Sequence, residues 1–209
     1  MQSTDAAELI AEIHEERAEN EAGETFRNRA ALLIAFLAAV LAIGGLGGGN
    51  ATDDLIGNNI RASDTWAFYQ AKNVRQTVYE IAAADIAAQL GAGGLSPEAR
   101  SGAEKRLAEY KATIARYDSE PDSASPGDPL RGEGKKELRA QAEAFEEARE
   151  RAAAQDDNFD MAEVFLQLAL VLGSVAILAL KRWVLILSAA LGAIGTLFTV
   201  NGFLLLVPF

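Results

Sequence analysis

MAEVFLQLALVLGSVAILALKRWVLILSAALGAIGTLFTVNGFLLL, residues 161–206, decides the fold of this chain. It contains two apolar runs, 161–180 and 183–206, each long enough to cross a bilayer as a helix of about 20 residues. Only Lys181 and Arg182 interrupt them. Holding such heads at the centre of a membrane helix costs about 2.5–3.5 kcal/mol each, so the chain must turn at this pair and keep both in water. The C-terminal third therefore reads as a tight transmembrane hairpin.

A third apolar run lies at 30–49, after a strongly acidic start. Residues 1–29 carry eight acids against three bases, a net charge of −5, and residues 50–160 carry 21 against 14, a net of −7. The near-zero mean hydropathy thus averages two unlike materials, membrane spans and acidic water-facing segments. Such acidity argues against nucleic-acid binding, which needs a basic footprint on phosphates. The non-span residues are Ala-rich and charged, with few β-branched or aromatic side chains, so helix is expected throughout. The reading is an all-α integral membrane protein with an extramembrane helical hairpin, coiled-coil-like in pattern, between the first and second spans. Its segments are 1–29 (acidic tail), 30–49 (span), 50–160 (extramembrane), 161–180 (span), 181–182 (basic turn) and 183–206 (span).

The first apolar run exceeds the 7–15 residues of a signal-peptide core, which makes it a retained helix. Bases near the spans set orientation. Arg17, Arg27, Arg29, Lys181 and Arg182 fall on one side, against Arg61, Arg149 and Arg151 on the other. Five against three places the N-terminus in the cytoplasm and 50–160 outside it.

Within 1–25, Leu9, Ile10 and Ile13 supply one amphipathic turn, too little to hold a helix without a partner. The glycines at 44–49 precede Asn50, Thr52, Asp53 and Asp54, a composition that predicts a helix end there. Farther on, Ile60, Ala67, Ala71, Val74, Val78 and Ile81 follow steps of three and four, with Asp64 continuing the same seam. Gly91–Gly94 breaks that helix. Ser96-Pro97-Glu98 then restarts one with an N-cap, a first-turn proline and a first-turn carboxylate. The second arm places Ala99, Ala103, Leu107, Tyr110, Ile114 and Tyr117 on one stripe, and the two stripes are expected to face each other. Residues 118–134 contain three prolines, three glycines and three serines among acids, a flexible-linker composition. From Lys135 the helical pattern returns and leads into the second span without proline or glycine. One helix of roughly 45 residues, about 65 Å long, fits this run, with Gln155–Asn158 as the alternative breakpoint.

Ala62–Lys72, ASDTWAFYQAK, resembles a bacterial family of three-span membrane proteins known only as domain of unknown function 4337. Members look similar in an acidic, Glu-rich N-terminus, in a helix opening with this aromatic run, and in a C-terminal hairpin whose turn is a basic pair before tryptophan. Here those features are Glu8–Glu24, Ser63–Lys72 and Lys181-Arg182-Trp183. The resemblance implies architecture and brings no activity with it.

Neither catalytic nor cofactor-binding nor metal-binding residues are assigned. There is no Cys, and His14 is the only histidine, so thiolate and histidine-based sites lack their parts. Neither glycine cluster carries the Lys and hydroxyl of a phosphate loop. Trp66, Tyr69, Gln70 and Asn73 share a helix face and form a candidate docking surface, because aromatic residues dominate interface energetics. Intramolecular packing is the competing reading of that face. Two small-residue rows, Ala31/Ala35/Ala39 and Ser188/Gly192/Thr196, are candidate helix-packing seams within one chain or between copies. Gln167 and Asn201 are expected to hydrogen-bond between helices. The function expected is a non-enzymatic structural or accessory protein of a bacterial cell membrane, its partners the lipid bilayer and either its own copies or another membrane protein. The alternative is an oligomeric channel or transport component lined by Thr196, Thr199 and Asn201.

Overall fold

The computed structural model describes the backbone of residues 2–208 and the side chains from His14 to Pro208, with 15, 18 and 19 left aside. The side chains of Leu9, Ile10 and Ile13 lie outside the described residues. Those described form four helices, α1 (Gln2–Ala92), α2 (Pro97–Asp118), α3 (Lys135–Ala179) and α4 (Arg182–Leu204), with one isolated β-bridge between Pro121 and Gly132. Stretches of α1, α3 and α4 are long and apolar enough to cross a membrane. The chain divides into two compact units, one of residues up to Asp53 together with those from Ala152, the other Asp54–Arg151.

The first unit packs parts of α1, α3 and α4 around Leu37, Ala162, Leu166 and Ala169. Small residues set the closeness of approach. A Cβ on Gly192 would come within 2.5 Å of Leu37 Cδ2, and one on Gly195 within 2.7 Å of Leu166 Cγ. Where lipid removes the hydrophobic incentive, such close van der Waals contact is what joins helices. Ser188 Oγ adds a buried hydrogen bond of 2.6 Å to the Ala169 carbonyl.

The helix end expected at the first glycine cluster does not occur, because α1 runs unbroken from Gln2 to Ala92. The reason is Phe159. A Cβ on Gly47 would lie 2.6 Å from Phe159 Cζ and 2.9 Å from Phe203 Cζ, and one on Gly48 would lie 3.2 Å from Phe159 Cβ. The glycines admit two aromatic rings, themselves packed edge to face at 4.9 Å. Their helix-propensity penalty of roughly 1 kcal/mol each is offset by that packing. Gln155–Asn158 likewise does not break α3. Asn158 instead joins Asn201 across α3 and α4 at 2.7 Å, as expected for Asn201. Gln167 differs from expectation, since it donates at 2.6 Å to Glu163 on its own helix and reaches no other.

In the second unit α1 turns into α2 through Gly93 and Gly94, whose φ of 76° and 84° place both in the left-handed region. Ser96 Oγ then accepts the Ala99 amide at 3.2 Å, capping α2 where the sequence predicts. The segment expected to be a flexible linker is tied down instead. Glu137, in the first turn of α3, accepts from Ser119 Oγ at 2.7 Å and from the Glu120 amide at 3.1 Å. The Glu133 amide donates to the Glu120 carbonyl at 2.9 Å, and Gln141 Nε2 to the Gly132 carbonyl at 2.9 Å. Composition predicted too little apolar material for a core here. Half-buried polar contacts hold the segment where apolar packing does not.

Candidate functional site

The part of α1 in the second unit presents two opposite faces. Its buried side carries Ala62, Lys72, Gln76, Ala83 and Ile86, with Trp66, Tyr69 and Tyr79 half-buried beside them. Tyr79 packs edge to face on Tyr110 at 5.3 Å and against Tyr117 at 5.9 Å, while Gln76 Nε2 reaches the Ile114 carbonyl at 3.4 Å. The α2 stripe from Ala103 to Tyr117 therefore turns inward, while Ala99 at its start is exposed. Its counterpart on α1, however, is this aromatic and polar face rather than the expected apolar one.

Lys72 anchors that face. Its ammonium lies 3.4 Å from Glu120 Oε2 and 3.7 Å from Glu133 Oε2, donates to the Glu133 carbonyl, and sits 5.2 Å and 5.9 Å from the Phe68 and Tyr117 rings. A buried ammonium is tolerable only with such compensation. Glu120 and Glu133 lie near the two ends of the 119–134 loop, so Lys72 contacts both ends at once. Glu137 completes the arrangement. Burial acts to raise its pKa, but the hydrogen bonds from Ser119, from the Glu120 amide and from its own amide, with the nearby Lys136 charge, together outweigh it and hold the carboxyl below its ordinary 4.5.

Two of the four candidate docking residues reach α3 of the same unit, and a third packs on one of them. Trp66 Nε1 donates to Glu146 Oε1 at 2.9 Å, Tyr69 packs edge to face on Trp66 at 5.5 Å, and Asn73 Oδ1 accepts from Lys135 Nζ at 3.1 Å. Gln70 remains exposed. Trp66, Tyr69 and Asn73 thus have partners within the chain, while Asn73, like Gln70, stays exposed.

The opposite side of α1 carries the predicted seam, and among the described residues nothing covers it. Ile60, Val74, Val78 and Ile81 are 53%, 64%, 60% and 66% exposed, with Ala67 and Ala71 exposed between them. Such an exposed apolar row on a helix is the feature that asks for a partner. Sequence periodicity found the row but assigned it the wrong cover. Two periodic faces coexist here, and the buried one mixes Ala62, Ala83 and Ile86 with Lys72, Gln76 and Tyr79, a mixture that an apolar pattern does not reveal.

Within the first unit the two small-residue rows separate. Ser188 and Gly192 are buried and Thr196 half-buried against the chain's own helices, whereas Ala31, Ala35 and Ala39 are exposed. Thr199 and Asn201, expected along a pore, are buried, with Thr199 Oγ1 bonded to the Gly195 carbonyl at 3.0 Å and Asn201 bonded to Asn158 and to both backbone groups of Val207. These two side chains are committed inside one chain. Among the described residues no three His, Cys, Asp or Glu side chains converge as metal ligands would, and His14 is exposed.

A family model described as a domain of unknown function, number 4337, matches residues 26–205. Neither a curated protein nor a solved structure matches the chain.

Proposed function

The chain belongs to the domain of unknown function 4337 family, and from that premise we propose a membrane-anchored, non-enzymatic structural or accessory protein that assembles through the open stripe of α1. The observation that carries this reading is the exposure of Ile60, Val74, Val78 and Ile81 on a helix whose other side is packed. Exposed aliphatic side chains gain about 25 cal/mol per Å² on burial, so a second surface lowers their free energy. The partner we favour is another copy. Copies anchored in one bilayer are related by an axis along the membrane normal, so like positions on the stripe meet across it. Asp64 lies within the seam and Asp85 continues it in the same register, neither of them in an ion pair among the described residues, and a polar residue in such a seam fixes register at a cost in stability.

The location proposed is a bacterial cell membrane, with residues 1–29 on the cytoplasmic side and 50–160 outside it, following the distribution of basic residues near the three apolar stretches. The test is the mass of the intact assembly extracted in native lipid nanodiscs, with every co-purifying chain identified. The reading expects more than one copy per particle. A single copy alone would remove it, and a stoichiometric foreign chain would replace the second copy as the stripe's cover.

A further inference from the structure

We propose that a cavity of about 630 Å³ in the first unit binds the phosphodiester headgroup of an anionic membrane phospholipid. One wall is α1, contributing Glu21, Thr25, Phe26 and Arg29, and the other is the start of α4, contributing Arg182, Leu185 and Ile186. Residues 25, 26 and 29 share one helical face, as do 182, 185 and 186, because side chains three and four apart are neighbours. The cavity therefore combines two guanidinium groups, a hydroxyl and an apolar side.

Three properties match that ligand. The first is depth. Arg29 and Arg182 each stand next to the start of an apolar stretch, at Ala30 and at Trp183, which is where headgroups lie against membrane helices. The second is charge. Two guanidinium groups against the Glu21 carboxylate leave one net positive charge, equal and opposite to a phosphodiester. Among the described residues neither arginine forms an ion pair, so both forks are open for the bidentate geometry that guanidinium offers to phosphate. The third is the apolar side. Phe26, Leu185 and Ile186 offer contact to the glycerol and the first acyl carbons, contact that free inorganic phosphate would not use. The α4 N-cap, Lys181, makes no side-chain hydrogen bond to the first-turn amides, and these add positive potential at the same end.

The inference rests on reading the apolar stretches as spans and is independent of the stripe on α1. Its test uses the full chain in nanodiscs of equal phosphatidylglycerol and phosphatidylcholine, released into detergent and weighed by native mass spectrometry. The wild-type chain is expected to keep phosphatidylglycerol in preference to phosphatidylcholine. Arg29→Gln and Arg182→Gln should each weaken that retention by roughly fivefold, while Arg106→Gln, on α2, should leave it unchanged. Equal retention by the double variant would overturn the proposal. So would loss of the lipid preference when millimolar inorganic phosphate is added, which would assign the site to free phosphate. A second measurement needs no arginine variant. In a Trp66→Phe chain, brominated phosphatidylglycerol should quench Trp183 more strongly than brominated phosphatidylcholine, and equal quenching would overturn the proposal.

Discussion

Asn201 donates through Nδ2 to Asn158 Oδ1 at 2.7 Å, joining α4 to α3 through two buried side chains. Asn158 in turn donates to the Ala154 carbonyl at 2.7 Å, and Asn201 holds the chain after α4 by bonding the carbonyl and amide of Val207 at 2.9 and 3.0 Å. Polar groups in such surroundings are stabilising only as a satisfied set, because a lone unpaired amide keeps its desolvation cost.

Asn158→Leu and Asn201→Leu are each expected to destabilise the chain by about 1–2 kcal/mol. The double replacement should cost less than the sum, since neither partner is then left unpaired. Thermal unfolding in detergent, analysed as a double-mutant cycle, checks this. Additive costs would mean that the two residues act independently.

Glycines that look alike in sequence should respond oppositely to alanine. Gly47→Ala drives a methyl group against the Phe159 and Phe203 rings and should cost about 1–3 kcal/mol. At Gly45 an added Cβ meets nothing within 4 Å, so Gly45→Ala should gain up to roughly 1 kcal/mol of helix propensity. Melting temperatures of the two variants decide the matter, and equal shifts would contradict the close-approach role of Gly47.

The three long apolar stretches, the α2 start and the length of α3 were legible because each rests on a local signal: an apolar run, a Ser-Pro-Glu cap, an absence of breakers. The continuity of α1 through Gly44–Gly49 was not legible, because the rings that require those glycines come from Phe159 and Phe203, more than 100 residues away in the chain. The hydrogen bonds of the 119–134 loop were not legible for a related reason. Its order comes from Lys72 and Glu137, on either side of it in sequence, and composition within the loop carries no trace of them. The stripe itself was legible as a period, and only its burial state needed the structure.

Acid should loosen that loop. The folded-state pKa of Glu137 is held below the ordinary value, so its contribution is present above about pH 4.5 and lost as pH falls through the lower folded value. Glu137→Gln should cost about 1–2 kcal/mol at neutral pH and flatten the acid limb of stability. Melting temperature followed from pH 7 to pH 3 for both chains tests the sign. An acid limb of the same size in the variant would assign it to other carboxylates.

Charging the stripe should separate copies without unfolding them. Val74→Glu with Val78→Glu places two carboxylates on an exposed face, where a substitution typically changes monomer stability by no more than about 0.5 kcal/mol. Helical content should hold while particle mass falls to one chain. Retention of the assembled mass would show that the stripe is not its interface.

The most direct measurement is disulfide formation in the native membrane from single cysteines placed along α1. The chain has no cysteine of its own, so each introduced thiol reports only its own position. Val74→Cys, Val78→Cys and Ile81→Cys are predicted to form linked dimers under mild oxidation, and Asn73→Cys and Glu80→Cys, off the stripe, to remain single chains. Equal linking at all five positions, or none at the three stripe positions, would contradict the claim that copies meet on this face.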